Sequence, residues 1–400
     1  MRHDVLILGG GYAGLLTALR LSRRLRGRAR ITLVNASEVF AERIRQHQLA
    51  AGAELRQHSL PRLLAGSGVR FVPARVEAID LERGELRAGH QRLGFEELVL
   101  ALGSQVDVSR VPGAREHALT LDVGQAPLLR ERVASALRDG SRVAVCGGGL
   151  SGIELSAELC ERWPGLPLTL LTAGELGPGL SSRARAYIRH FFAQRGVQVR
   201  EGLRVERIEP DGVWVSEERA GGAPRQRIAS ELTVWAGGFV GSELPRSAGL
   251  DVNLREQVRV DSALRSLSHR NVTVVGDAAA VEGRSAPLQL SCKVALPMAL
   301  AGADNLARRI AGIPEQAFEF RDAAVCVSLG RRAGVVDLRH PDTSVRERII
   351  SGRWGALLKE TVCRFTVQRM HWERAAFWPA RSLQAPARLE TAEKRPQIAS

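Results

Sequence analysis

Along the chain, short apolar runs alternate with stretches in which apolar residues recur every three or four positions. The runs at residues 5–8, 31–34, 98–102, 143–146, 168–171, 232–236 and 272–275 carry at most one threonine each. They read as strands buried on both faces, the pattern of a parallel sheet. Helical spacing follows at 14–25, at 122–138 (Leu128, Leu129, Val133 and Leu137 on one face) and at 295–310. Shorter strands are expected at 69–73, 76–80, 197–200 and 205–215, and glycine-punctuated alternation at 84–87 and 91–95 predicts a hairpin. The alternation of strand and helix predicts an α/β fold. The last ninety or so residues differ: 318–320 and 325–330 read as strands of a small α+β region, and 345–378 as a helix. Beyond Pro386 a disordered tail is expected.

Two of the strand–helix junctions carry glycines at the same spacing. Gly9, Gly11 and Gly14 follow the first strand, and Gly147, Gly149 and Gly152 follow the strand at 143–146. In G-x-G-x-x-G the first glycine allows a tight turn and the second lets backbone approach a pyrophosphate. The third lets the helix pack close, aiming its N-terminal N–H groups at the phosphates. Two such units in one chain predict two Rossmann-like dinucleotide-binding domains that bring two cofactors together.

Each unit departs from the usual acidic end of the second strand. Asn35 stands there in the first, where an amide oxygen still accepts a ribose hydrogen bond without charge. The second reads Thr172-Ala173-Gly174-Glu175, with Glu175 in reach of a ribose and Arg183 or Arg185 of a 2′-phosphate. No arginine directly follows the strand, which favours NADH but leaves NADPH open.

The formal net charge is +14, yet lysine occurs only at Lys293, Lys359 and Lys394, so the excess is scattered arginine. Only 4% of residues are aromatic, which supplies few stacking platforms and argues against nucleic-acid binding. The five cysteines (Cys146, Cys160, Cys292, Cys326, Cys363) form no C-x-x-C pair, which argues against a disulfide framework, a zinc site or a dithiol centre and for a reducing compartment. No signal peptide or spanning segment is visible, so a cytoplasmic protein is expected. The predicted helix at 345–378 sets Trp354, Leu358, Val362 and Phe365 on one side, with Lys359, Arg364, Arg369 and Arg374 interspersed. Such a helix can lie on the cytoplasmic face of an anionic membrane, pack on its own dinucleotide-binding domain or form a homodimer interface. Arg43 and Arg45 face a pyrophosphate or carbonyl of a bound cofactor, or solvent, and His47 reads as a packed or capping residue.

The two glycine motifs, Leu98-Val99-Leu100-Ala101-Leu102-Gly103, Glu154, Trp235-Ala236-Gly237 and Gly276-Asp277 together resemble the flavin-dependent pyridine-nucleotide oxidoreductases, in particular their type II NADH dehydrogenase-like branch. The resemblance implies a split FAD domain, residues 1–108 with 260–312, and an inserted NAD(P)H domain, 109–259. A C-terminal region, 313–385, and the tail, 386–400, follow. For FAD it implies Gly9, Gly11, Tyr12, Ala13, Gly14 and Asn35, then Arg43, Val76, Ala101 and Gly103, with Gly276 and Asp277 near the ribityl–phosphate end. For NADH or NADPH it implies Gly147, Gly149, Leu150, Ser151, Gly152 and Gly237. Glu154 is expected where nicotinamide meets flavin, although a first-turn glutamate equally suits the helix dipole; Glu158 reads as structural. Members of that branch carry A-Q-x-A-x-Q where quinone docks, whereas this chain has Cys292-Lys293-Val294-Ala295-Leu296-Pro297. Pro297 suits a first helical turn, and Lys293 is expected to stabilise reduced flavin or bind an anionic acceptor. The acceptor is thus a quinone or a small metabolite. A flavoprotein tailoring enzyme and an apoptosis-inducing-factor-type redox sensor are the rival readings.

Overall fold

The computed structural model describes residues 3–122, 124–217, 226–284 and 288–375; the expected disordered tail lies outside them. Two five-stranded parallel sheets form the framework. In the first, His3–Leu8 is central, flanked by Ala29–Asn35 and Glu97–Leu100, with Arg70–Pro73 and Val272–Val274 at the edges. In the second, Val143–Cys146 is central between Leu168–Leu171 and Leu232–Trp235, with Gln198–Arg200 and Ala118–Thr120 outermost. Each central strand is buried along most or all of its length, as in a parallel sheet covered on both faces; residues of each antiparallel meander, Ile79 and Leu86 in the first unit and Val213 and Val215 in the second, share a core with the sheet of their unit. A three-stranded antiparallel meander follows the third strand of each unit: Val76–Asp80, Glu85–Ala88, Gln91–Gly94 and Leu203–Glu209, Gly212–Glu217, Gln226–Ala229. The 205–215 stretch thus belongs to a separate antiparallel sheet.

The C-terminal region corrects two expectations. Residues 318–320 form no strand; Phe318 plugs the first core, its N–H donating to the Ser262 carbonyl at 2.7 Å. Val345–Ser351 is a strand, not helix, and pairs with Ala333–Arg339 beside Ala324–Leu329. The chain leaves it at Gly352 (φ +65°), and only then does the helix Gly352–Arg374 begin. Charges interleaved with apolar residues conceal this boundary, because a short amphipathic strand and a helix can share such a pattern. A third difference concerns Cys292–Ile310, which starts three residues early, closed by the Ala295 N–H to Ser291 O bond at 2.9 Å. Pro297 therefore sits in the second turn, where its missing N–H removes one helical bond.

The C-terminal region straddles both units. Val325, Val327, Leu329 and Val335 join the core of the second, and Val367 and Met370 that of the first. Glu373, fully buried, receives Arg20 at 3.2 Å, Arg23 at 2.6 Å and Arg369 at 3.2 Å. Arg20 and Arg24 also grip Asp304 at 2.9 and 2.7 Å, tying Tyr12–Leu25 to Cys292–Ile310. Glu373→Ala strips three guanidinium groups of their shared counter-charge. It is expected to cost about 3–5 kcal/mol and to make the C-terminal helix the first site of proteolytic cutting, read by denaturant unfolding and limited proteolysis.

Candidate functional site

Both glycine turns open into one cavity of about 1160 Å³, lined on one side by Gly9, Gly10, Gly11, Tyr12 and Ala13 and on the other by Gly149, Leu150, Ser151 and Glu154. The glycines divide their work as the spacing requires. At Gly9 (φ +106°) a Cβ would lie 2.3 Å from the Ala101 carbonyl oxygen, and at Gly14 it would lie 1.8 Å from that of Gly9. Gly147 and Gly152 repeat this, at 2.7 Å from Ala236 and 1.9 Å from Gly147. At Gly11 and Gly149, by contrast, no atom of the described residues beyond the chain neighbours lies within 4 Å of the missing Cβ. Each cradle therefore has two packing glycines and one facing open space at a helix N-terminus, which fits a dinucleotide pyrophosphate.

Around the first cradle the Arg43 guanidinium donates to the Ser104 carbonyl at 2.6 Å, and the Ser104 hydroxyl donates to Asp277 Oδ2 at 2.8 Å. Gln257 Nε2 donates to the Asp277 carbonyl at 2.9 Å, which holds the turn after Gly276 (φ +72°). Asp277, Arg43, Ala101, Gly103 and Asn35 all line the cavity. Asn35 Oδ1 accepts the Gly10 N–H at 2.8 Å, so it ties the strand end to the glycine turn and keeps a second lone pair for a ligand. Val76 is not among the lining residues; it pairs with Ala88 in the first meander. Gly237 is not among them either, although its neighbours Ala236 and Gly238 are. Arg45 turns from the cavity to grip Glu360 at 2.8 Å through both terminal nitrogens.

Glu154 and Lys293, the two proposed reaction-site groups, both reach the cavity. Lys293 Nζ is bound to Asp322 at 2.6 Å, which offsets its charge. Glu154 is buried and lies 2.8 Å from Nζ of Lys359, while its Oε1 also accepts the Ser328 N–H at 2.9 Å. Burial opposes both charges. Lys359 nonetheless holds the Glu154 carboxyl below the usual carboxylate range, and Glu154 raises the Lys359 ammonium above its ordinary value. Behind them His47 packs 3.5 Å from Glu154; burial pushes its imidazole down to about 4, so it is neutral near pH 7. Glu158, 3.1 Å from Arg331, is pushed up to about 7 by burial.

Sequence reading missed Lys359, which was assigned to a basic helix face. Its one signal was composition: two of the three lysines of this arginine-rich chain, Lys293 and Lys359, line the cavity. Ser104 and Gln257 carried no signal, since only the fold sets them beside Asp277.

The profile of the pyridine nucleotide-disulphide oxidoreductases matches residues 3–299, and the chain belongs to that family. It is an NADH dehydrogenase-like flavoprotein oxidoreductase, with FAD as cofactor and NADH or NADPH as co-substrate. A type II NADH:quinone oxidoreductase of Staphylococcus aureus is 26% identical over 390 residues, spanning 90% of this chain and 94% of that one. The sulfide:quinone oxidoreductase of the hyperthermophilic bacterium Aquifex aeolicus shares the fold with a TM-score of 0.80 at 20% identity, over 94% of this chain and 92% of that one. NDH2 from Plasmodium falciparum, solved in complex with NADH, does so with a TM-score of 0.77 at 13% identity, over 96% and 100% of the respective chains.

Lys359→Met leaves Glu154 buried without its counter-ion and is expected to cost about 3–5 kcal/mol. Adding Glu154→Gln should recover much of that loss, a coupling read by a double-mutant unfolding cycle. Glu158 has a folded pKa above its unfolded one. It therefore favours folding below about pH 4.5 and loses that contribution as pH rises through about 7. The stability of Glu158→Gln relative to wild type is expected to rise by about 2–3 kcal/mol between pH 4 and pH 8.5 in pH-resolved denaturation.

Proposed function

We propose that the protein oxidises NAD(P)H and delivers the electrons to a lipid-soluble quinone taken from a membrane surface. The observation that carries this reading is Val362, which both lines the cavity and belongs to an exposed apolar stripe on the C-terminal helix. That stripe also includes Trp354 (71% exposed), Leu357, Leu358 and Phe365. The opposite side of the helix, with Lys359, Cys363, Thr366 and Met370, is packed into the protein. An apolar acceptor would thus meet apolar protein from the surface to the cavity. Among the described residues no helix is long and apolar enough to cross a membrane, so contact would be peripheral.

In this reading residues 1–108 with 260–312 hold FAD and residues 109–259 hold the nicotinamide nucleotide. Bound FAD supplies two-electron chemistry between nicotinamide and acceptor. The N–H groups after Gly11 and Gly149 hold the two pyrophosphates, and Asp277, positioned by Ser104 and Gln257, accepts ribityl hydroxyls. Lys359 keeps Glu154 ionised at the edge of the cavity, and the buried walls around the pair limit water. The Lys293–Asp322 pair weakens the case for an anionic metabolite, because the lysine charge is already met. The missing glutamines still distinguish this acceptor site from that of the type II branch.

The test is anaerobic. The yellow protein should bleach with NADH or NADPH, and the reduced protein should be reoxidised faster by quinone in anionic vesicles than by a soluble quinone lacking the isoprenoid tail. Reoxidation by small metabolites but not by vesicle quinone would overturn the acceptor assignment. Replacing Trp354, Leu357 and Phe365 together with serine removes side chains worth about 1.5–3 kcal/mol each when fully buried. Vesicle binding and quinone turnover should fall more than tenfold while dye reduction is unchanged; a loss of dimer with vesicle binding intact would identify the stripe as a homodimer interface instead.

A further inference from the structure

The second nucleotide site lacks the usual means of rejecting a 2′-phosphate. A carboxylate at the end of the second strand normally binds the ribose hydroxyls and repels that phosphate, whereas a nearby arginine accommodates it. Strand register fixes which residue occupies this place. Leu8 pairs with Val34 in the first unit and Cys146 with Leu171 in the second, so Thr172 stands where Asn35 does. Thr172 is neutral and buried against the glycine turn; a Cβ at Gly148 would lie 2.4 Å from its hydroxyl oxygen.

The chain then folds back along the turn, with the Gly177 N–H donating to the Gly148 carbonyl at 2.8 Å. This keeps the segment that carries Glu175 against the glycine turn, and among the described residues no atom beyond the chain neighbours lies within 4 Å of a Cβ position at Gly174, leaving room. The carboxylates at this rim are already matched by cations. Glu175 is 3.2 Å from Arg185, and Glu201 receives two Arg189 bonds at 2.9 Å and the Leu176 N–H at 2.5 Å. Arg183 is turned elsewhere, bonded to the Glu347 carbonyl at 3.2 Å, so the fold separates it from Arg185. Arg185 is anchored by Leu180 O at 2.9 Å, while its partner Glu175 is 63% exposed. Because the Glu175 carboxylate is exposed, solvent weakens the pair, and a dianionic phosphate can displace Glu175 from Arg185.

We propose that the nicotinamide site accepts NADPH as well as NADH, with Arg185 exchanging Glu175 for the 2′-phosphate. The proposal rests on the second unit taking the nicotinamide nucleotide and is independent of the acceptor. Its test is calorimetric binding of ADP-ribose and 2′-phospho-ADP-ribose to the FAD-loaded full-length protein, which requires no turnover. Wild type should bind the two within tenfold of each other. Arg185→Ala should weaken the phosphorylated ligand at least tenfold and leave ADP-ribose within twofold, Arg185→Lys should restore part of the loss, and Glu175→Gln should tighten the phosphorylated ligand alone. A wild-type preference for ADP-ribose above tenfold, or equal weakening of both ligands in both Arg185 variants, would overturn it. Failure of ADP-ribose itself to bind wild type would overturn the nucleotide assignment of the unit, a result distinct from either.

Discussion

The contact on which the site depends is the ion pair between Glu154 and Lys359, 2.8 Å apart and almost wholly removed from water. Two buried charges are costly unless each finds further polar partners. Here the Ser328 N–H and the Cys326 carbonyl provide them, at 2.9 and 3.2 Å. Glu154 rides on the helix that starts at the second glycine turn, while Lys359 comes from the C-terminal helix and both auxiliary groups from the strand Ala324–Leu329. A single electrostatic requirement thus fixes three elements, distant in sequence, around one end of the cavity.

The arginine clamp at the other end of the same helix has a related logic. Glu373 and Asp304 gather Arg20, Arg23, Arg24 and Arg369 where the first glycine-turn helix, the Cys292–Ile310 helix and the C-terminal helix meet. With Arg45 gripping Glu360 between these two clusters, the C-terminal helix is bound by charge along one side. Its other side keeps an apolar stripe exposed. Amphipathicity in this helix is therefore inverted relative to a simple surface helix, and the face turned inward is the one rich in ionic contacts.

That inversion explains much of what was hidden in the sequence. Apolar periodicity suffices for a parallel-sheet unit, because both faces of its strands are covered and the G-x-G-x-x-G spacing is a local steric requirement. Gly9, Gly14, Gly147 and Gly152 could be assigned from spacing alone, since Gly14 and Gly152 pack on the turns of Gly9 and Gly147, which themselves take positive φ. Lys359 could not be, because a buried lysine looks like a surface one until its counter-ion is known. The strand Val345–Ser351 escaped for a similar reason: its partner, Ala333–Arg339, supplies the hydrogen bonds that decide between strand and helix.

By itself, the sequence determined the local, repeated features: two nucleotide cradles, the strands that carry them, and Asp277 as an acid just past a buried strand. These depend on residues close in the chain and on backbone sterics. Only the tertiary structure decided that both cradles open into one cavity, that Arg185 and not Arg183 lies beside Glu175, that Lys293 is matched by Asp322, and that Glu154 meets Lys359. All but the Arg185–Glu175 pair bring together groups well separated in the chain, and contacts and Coulomb energies depend on separation in space, which sequence order does not encode.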